Sequence, residues 1–135
     1  MVVDSSALIA IIRAEPGWES LEASLLDSTR AVLSAAALVE ASIVLYAKRG
    51  DDGVDRLDEL IASMQIDCAA IDRSTAVVAR DAFVRYGKGR HPAALNFGDC
   101  FSYALAKTRD EPLLFKGEDF SLTDVRVAVP PRDWR

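Results

Sequence analysis

One histidine and two cysteines are all the imidazole and thiol chemistry that the 135 residues offer: His91, Cys68 and Cys100. A serine-histidine-aspartate triad would have to use His91 beside Pro92, and no Gly-x-Ser-x-Gly turn is present to carry its nucleophile. Cleavage by a pair of histidines is excluded outright. Zinc would need both cysteines, His91 and a fourth ligand, with none of the short spacings that zinc sites use. Neither a Gly-x-Gly-x-x-Gly nor a Gly-x-x-x-x-Gly-Lys run occurs, so the common phosphate-cradling loops are missing too. What remains for an enzyme is carboxylate chemistry.

Glycine and proline are also sparse, at 7 and 5 residues, and half the chain is hydrophobic. Those figures exclude a collagen-like, low-complexity or intrinsically disordered chain. The length is that of one domain, taken as residues 1–135. The longest apolar stretch, residues 31–47, falls short of the roughly 20 residues of a membrane span and carries Glu40 near its middle. The start, Met-Val-Val-Asp, lacks a basic region ahead of an apolar one. Neither a signal peptide nor a membrane anchor is therefore expected, and the expected location is the cytoplasm. There, Cys68 and Cys100 are expected as two buried free thiols.

Short apolar runs alternate with helical patterns along the whole chain. Strands are expected at residues 1–3, 31–33, 66–71, 113–115 and 125–129. Helices are expected at 7–14, from Trp18 through Leu26, at 35–48, 54–64 and 72–86, and from Gly98 to about Arg109. Ser5 and Ser6 are the expected cap of the first helix, with Ser34 and Asp72 capping later ones. Residues 50–53 read as a turn, 87–92 as a loop, and a Pro-Pro tail follows the last strand. This alternation predicts an α/β fold with a mainly parallel central sheet flanked by helices on both faces. Ligands of such sheets bind outside the carboxyl ends of the strands.

Four acids occupy places worth weighing against that rule. Asp4 follows the first strand, where an ordinary helix cap would also explain it. Glu40 is the only charge between Arg30 and Lys48, so it needs either an exposed face or a partner. Asp99 lies in the first turn of a helix, where the helix dipole alone favours it. Asp119, next to Glu118, follows the Leu-Leu-Phe strand and could be a turn acid. Converging carboxylates repel by about 3 kcal/mol at 5 Å and an effective dielectric near 20, so a cluster must take up protons or hold cations. Hard oxygen ligands suit Mg2+ or Mn2+, ions that activate water for attack on a phosphate.

Read in order, Asp4-Ser5-Ser6-Ala7-Leu8, Glu40, Gly98-Asp99-Cys100 and Phe115-Lys116-Gly117-Glu118-Asp119-Phe120 resemble the PIN-domain family, and most of all the VapC toxins of bacterial toxin-antitoxin pairs. The likeness covers essentially the whole chain. It implies a metal-dependent endoribonuclease that cuts RNA, is silenced by a VapB-type antitoxin and commonly forms a homodimer. Asp4, Glu40 and Asp99 match the family's three principal acids. Asp119 in Glu-Asp-Phe matches the fourth, with Glu118 beside it able to substitute or join. Ser6 matches the hydroxyl two residues after the first acid, where it helps orient a ligand or water.

An RNA substrate sits awkwardly with a net charge of -5 until that charge is located. Residues 51–72 hold seven acids and one base, which leaves the rest of the chain at +1 and, without the four site acids, at +5. Arginines outnumber lysines twelve to four, and guanidinium suits phosphate. Arg85, Lys88 and Arg90 lie in a basic stretch that leads towards Asp99, and they are the expected RNA-phosphate contacts. A solvated helix face would account for them equally well. Two other classes compete for the whole chain. A response-regulator receiver domain needs paired acids after its first strand, and only Asp4 stands there. A non-catalytic PIN-like module kept for partner contact or regulation is the second, and intact acids argue against it.

Overall fold

The computed structural model describes residues 1–129. Four parallel strands, β1 (Val2–Val3), β2 (Val32–Ser34), β3 (Asp67–Ala69) and β4 (Leu113–Leu114), form one sheet in the order β3-β2-β1-β4. Five helices connect and cover them: α1 (Ser5–Ile12), α2 (Trp18–Asp27), α3 (Ala35–Ser63), α4 (Arg73–Tyr86) and α5 (Phe97–Arg109). Val2 and Val3 point to opposite faces of the sheet and both are fully buried. The sheet is therefore covered on both sides, which is why its central strands lack hydrophilic alternation. No helix among the described residues is long and apolar enough to cross a membrane.

Strand order reverses at β1, which pairs with β2 on one side and with β4, the last strand in sequence, on the other. The Asp4 N–H donates to the Leu114 carbonyl at 2.8 Å, so the residues after β1 and after β4 leave the sheet side by side. That crevice is where an α/β sheet binds its ligands. Leu8, Leu21, Leu33, Leu45, Leu57, Leu113, Leu114 and Phe115 fill the core beneath it.

Local chemistry explains most boundaries and corrects several. Asp4 itself, not Ser5 or Ser6, caps α1, its carboxylate accepting the Ser6 N–H. The turn expected at residues 50–53 is instead a kink inside α3, where Gly50 leaves helical geometry at φ 60° and ψ −142°. Only a residue without a Cβ adopts that backbone cheaply. The third strand is shorter than expected and lies on the sheet edge, so Cys68 is exposed; Cys100 alone is the buried thiol. The last expected strand shrinks to a single bridge between Leu113 and Val127. The helix after the loop starts at Phe97 and is capped by Asn96. The Pro-Pro tail lies outside the described residues.

Candidate active site

Each acid reaches the crevice from a different element. Asp4 is 2% exposed and has both carboxylate oxygens engaged: Oδ2 accepts the Ser6 N–H at 3.1 Å, and Oδ1 accepts the Ser102 hydroxyl at 2.6 Å. Glu40 comes from α3, and its Oε1 accepts the Ser5 hydroxyl at 2.5 Å. A Cβ placed on Gly98 would lie 2.0 Å from Glu40 Oε2, so the carboxylate occupies the space that any other residue at 98 would fill. Asp99 follows directly, at the first turn of α5, where it exchanges hydrogen bonds with Asn96 in a capping box. Asp119 is exposed and opens a single 3-10 turn, Asp119–Leu122.

The electrostatics tie the four together. Burial, the largest cause, pushes Asp99 up to about 7, and the fields of Asp4, Glu40 and Asp119 push the same way. The Asn96 N–H opposes them and loses. A proton held this way on a carboxylate near neutral pH marks a place short of positive charge. Burial also pushes the neighbouring Cys100 thiol up to about 11, which keeps it inert as a nucleophile.

Among the described residues, no three acids, thiols or imidazoles stand as a ready-made coordination cluster. Serine hydroxyls hold two of these carboxylates. The donor set nevertheless suits a hard divalent ion. It is all oxygen, it carries excess negative charge, and it leaves Asp99 Oδ1 and Glu40 Oε2 outside the hydrogen bonds just described.

Around the acids, Ser6 Oγ accepts the Lys116 N–H at 3.0 Å and so ties α1 to the segment after β4. Glu118 is exposed and its carbonyl accepts the Ser121 N–H, closing the turn that presents Asp119. The basic trio, Arg85, Lys88 and Arg90, lies at the end of α4 and in the loop after it. All three residues are exposed, but the Arg85 guanidinium sits 5.0 Å from the centre of the Tyr86 ring, and its field falls on Tyr103 and Asp124, further along α5 than Asp99. Lys88 and Arg90 belong to a loop pinned by backbone bonds from Lys88 N to Leu95 and from Arg90 N to Gly87.

Sequence reasoning named Ser5 only as a cap and within a motif, Gly98 only as a helix start and within a motif, and passed over Asn96 and Ser102. Two of them carried a signal: Ser102 lies three residues after Asp99 and so shares its helix face, and a glycine in a helix's first turn suggests a close approach.

On either side of Gly98 the surface is apolar. Phe97 is 79% exposed and stands between two grooves. One, of about 290 Å³, is lined by Val39, Ile43 and Val44 of α3 together with Glu40; the other, of about 350 Å³, by Ala76, Arg80 and Phe83 of α4 with Phe101.

The sequence pattern of the PIN domain matches residues 1–126. Ribonuclease VapC of Mycolicibacterium smegmatis is 49% identical over 125 residues, covering 93% of this chain and 97% of the relative. Ribonuclease VapC30 of Mycobacterium tuberculosis is 44% identical over 131 residues, covering 97% of this chain and all of the relative. Among solved structures, VapC20 of Mycobacterium tuberculosis, a sarcin-ricin loop cleaving toxin, superposes with a TM-score of 0.77 at 16% identity, over 96% of this chain and 98% of that one. A toxin-antitoxin complex from Klebsiella pneumoniae gives 0.69 at 17% identity, over 96% of each chain. At those identities the two structures speak for the fold alone, whereas the sequence relatives span nearly full length. The chain belongs to the PIN-domain family, within its branch of VapC ribonucleases.

Proposed function

We propose that this chain is an endoribonuclease toxin dependent on a divalent metal, with Asp4, Glu40, Asp99 and Asp119 holding Mg2+ or Mn2+ and a VapB-type antitoxin restraining it. The single observation that carries the reading is the seating of Glu40 against Gly98, which brings an α3 carboxylate beside Asp99, where the field of Asp4 also falls. Support for the nuclease activity comes from relatives named as ribonucleases that span nearly the whole chain.

A divalent ion at these acids supplies Lewis acidity, lowering the pKa of water and offsetting charge on the phosphate under attack. The chain's own residues do the arranging. Asp4 is held by Ser6 and Ser102, Glu40 by Ser5, and Asp99 by the capping box, so three carboxylates are oriented before any ligand arrives. Asp99 would hold a cation as the carboxylate, without the proton that its burial favours. Asp119, exposed on its short turn, completes the set with Glu118 beside it. Ser6 fixes the backbone of Lys116 at the mouth of the crevice. Attack of water on the phosphorus, with the P–O3′ bond breaking and the 3′ oxygen taking up a proton, would leave 5′-phosphate and 3′-hydroxyl ends.

Arg85, Lys88 and Arg90 contribute long-range attraction for RNA in this reading, since Arg85 already lies over Tyr86. The homodimer is supported by the apolar surface: exposed Phe97 stands between two grooves with apolar linings, a patch of the kind that a second copy can cover. Two unpaired cysteines, one of them exposed, fit a reducing cytoplasm.

The test is to map new RNA 5′ ends after expression of the wild type beside Asp4→Asn. Cuts that appear only with the wild type, and that purified protein reproduces with Mg2+ but not in excess chelator, support the reading. Equal cleavage in chelator would sink it.

A further inference from the structure

We propose that Ser102 is a positioning residue of the carboxylate site: its hydroxyl holds Asp4 in the orientation in which that side chain receives a divalent ion, and so sets the ion's affinity. The inference rests on the reading of the four acids as a metal site.

Ser102 is fully buried and Asp4 is 2% exposed. Their oxygens are 2.6 Å apart although 98 residues separate them in sequence. That distance is the usual one for a hydroxyl donating to an ionised carboxylate, about 2.5–2.7 Å. The other buried residues of α5 are Gly98, Cys100, Tyr103, Ala104, Leu105 and Ala106. A hydroxyl among such residues costs free energy unless it is used.

Hydroxyls in helices usually satisfy themselves on their own backbone. Ser42 does so on the Leu38 carbonyl at 2.7 Å, Ser63 on Leu60 at 3.1 Å and Thr108 on Leu105 at 3.2 Å. Ser102 instead crosses to another element and finds the acid at the end of β1. Oδ2 of Asp4 takes the Ser6 N–H, so the two donors approach from α1 and from α5 and together fix the rotation of the carboxylate. Each oxygen keeps lone-pair capacity for a further ligand. Without Ser102 the Ser6 N–H is left to orient the group.

Outer partners of this kind typically change metal affinity by about 10–100-fold. The experiment titrates Mn2+ calorimetrically into the metal-free full chain, comparing wild type with Ser102→Ala and Ser102→Cys, each checked for folding by circular dichroism. The cysteine variant keeps the volume and removes the oxygen donor, so it carries the test if the alanine variant fails to fold. Expected is a dissociation constant raised by about tenfold or more in the variants. The Mn2+ concentration for half-maximal RNA cleavage should rise in step, while saturating Mn2+ restores the rate. Wild-type affinity in a folded variant overturns the proposal. So does a rate defect that saturating Mn2+ leaves in place while the dissociation constant stays unchanged, because packing alone then explains it. A wild-type chain that binds no Mn2+ removes the metal-site reading and this inference together.

Discussion

Two carboxylates bound to the face of α5 live in opposite electrical worlds. Asp124 accepts the Tyr103 hydroxyl at 2.5 Å and pairs with Lys107 at 3.2 Å, and with the field of Arg85 these hold its carboxyl below the usual range. Asp99, one turn back along the helix, accepts the neutral Asn96 N–H and feels the fields of three other acids, and it is pushed up to about 7, mostly by burial. The cations Lys107 and Arg85 act on Asp124. One carboxylate is neutralised from within; the other is left short of positive charge, a place where something from outside can supply it.

The sharpest way to break this contrast is to neutralise each acid in turn. Asp99→Asn should lower RNA cleavage by at least about 10²–10³-fold, the scale of removing a charge-stabilising group, without lowering the melting temperature of the metal-free chain. Asp124→Asn should do the reverse. Its cleavage stays near wild type, and its melting temperature falls by roughly 4 °C, from a loss of about 1 kcal/mol for a charged hydrogen bond at a half-exposed site. Equal effects of the two on cleavage would erase the distinction.

Next in size is Gly98→Ala. The added Cβ meets Glu40 Oε2 at 2.0 Å, so the Glu40 carboxylate must move, and a displacement of about 1 Å at a reacting centre costs on the order of 10²-fold. Activity assays with circular dichroism as the folding control measure it; unchanged turnover would show that Glu40 can retreat freely.

Titration sharpens the comparison further. The folded chain holds its Asp99 proton more tightly than the unfolded chain, so the stability that proton contributes is present below the ordinary carboxylate range and is lost as pH rises through about 7. Asp124 has the opposite sign: its contribution is present above the ordinary value of 3.8 and is lost as pH falls through its lowered one. Melting curves of metal-free protein from pH 4 to 8 should show a downward slope that Asp99→Asn flattens. Mg2+ should stabilise more at pH 8 than at pH 5, because the incoming ion displaces that proton.

The smallest effect belongs to the basic trio. Replacing Arg85, Lys88 and Arg90 together with Gln should weaken RNA binding and flatten its salt dependence, with turnover at saturating RNA little changed. Salt titrations of RNA affinity test this, and an unaltered slope would remove these residues from the interface.

Most strands and helices were legible because each segment's own pattern is strong. Val2 and Val3, Val32 and Leu33, and Leu113 and Leu114 are apolar runs too short for helices, and Ser34 and Asp72 cap α3 and α4 as the sequence alone suggests. The failures fall where a neighbour decides. Nothing local in Gly50 distinguishes a turn from a kink within a continuing helix. Cys68 looks like a core residue until the sheet order puts β3 at the edge. The serines were the largest omission at the site, because a serine in a helix reads as neutral until the carboxylate it reaches is known.

By itself, then, the sequence determined the class of fold, through hydrophobic periodicity, and the stock of chemistry, through its single histidine and its four isolated acids. Which acids meet, which hydroxyl holds which carboxylate, and which cations are already taken were decided only in three dimensions. The physical reason is range. Periodicity and capping act over a few residues, whereas Asp4 and Ser102, or Glu40 and Gly98, become neighbours only after β1, α3 and α5 have packed around one sheet.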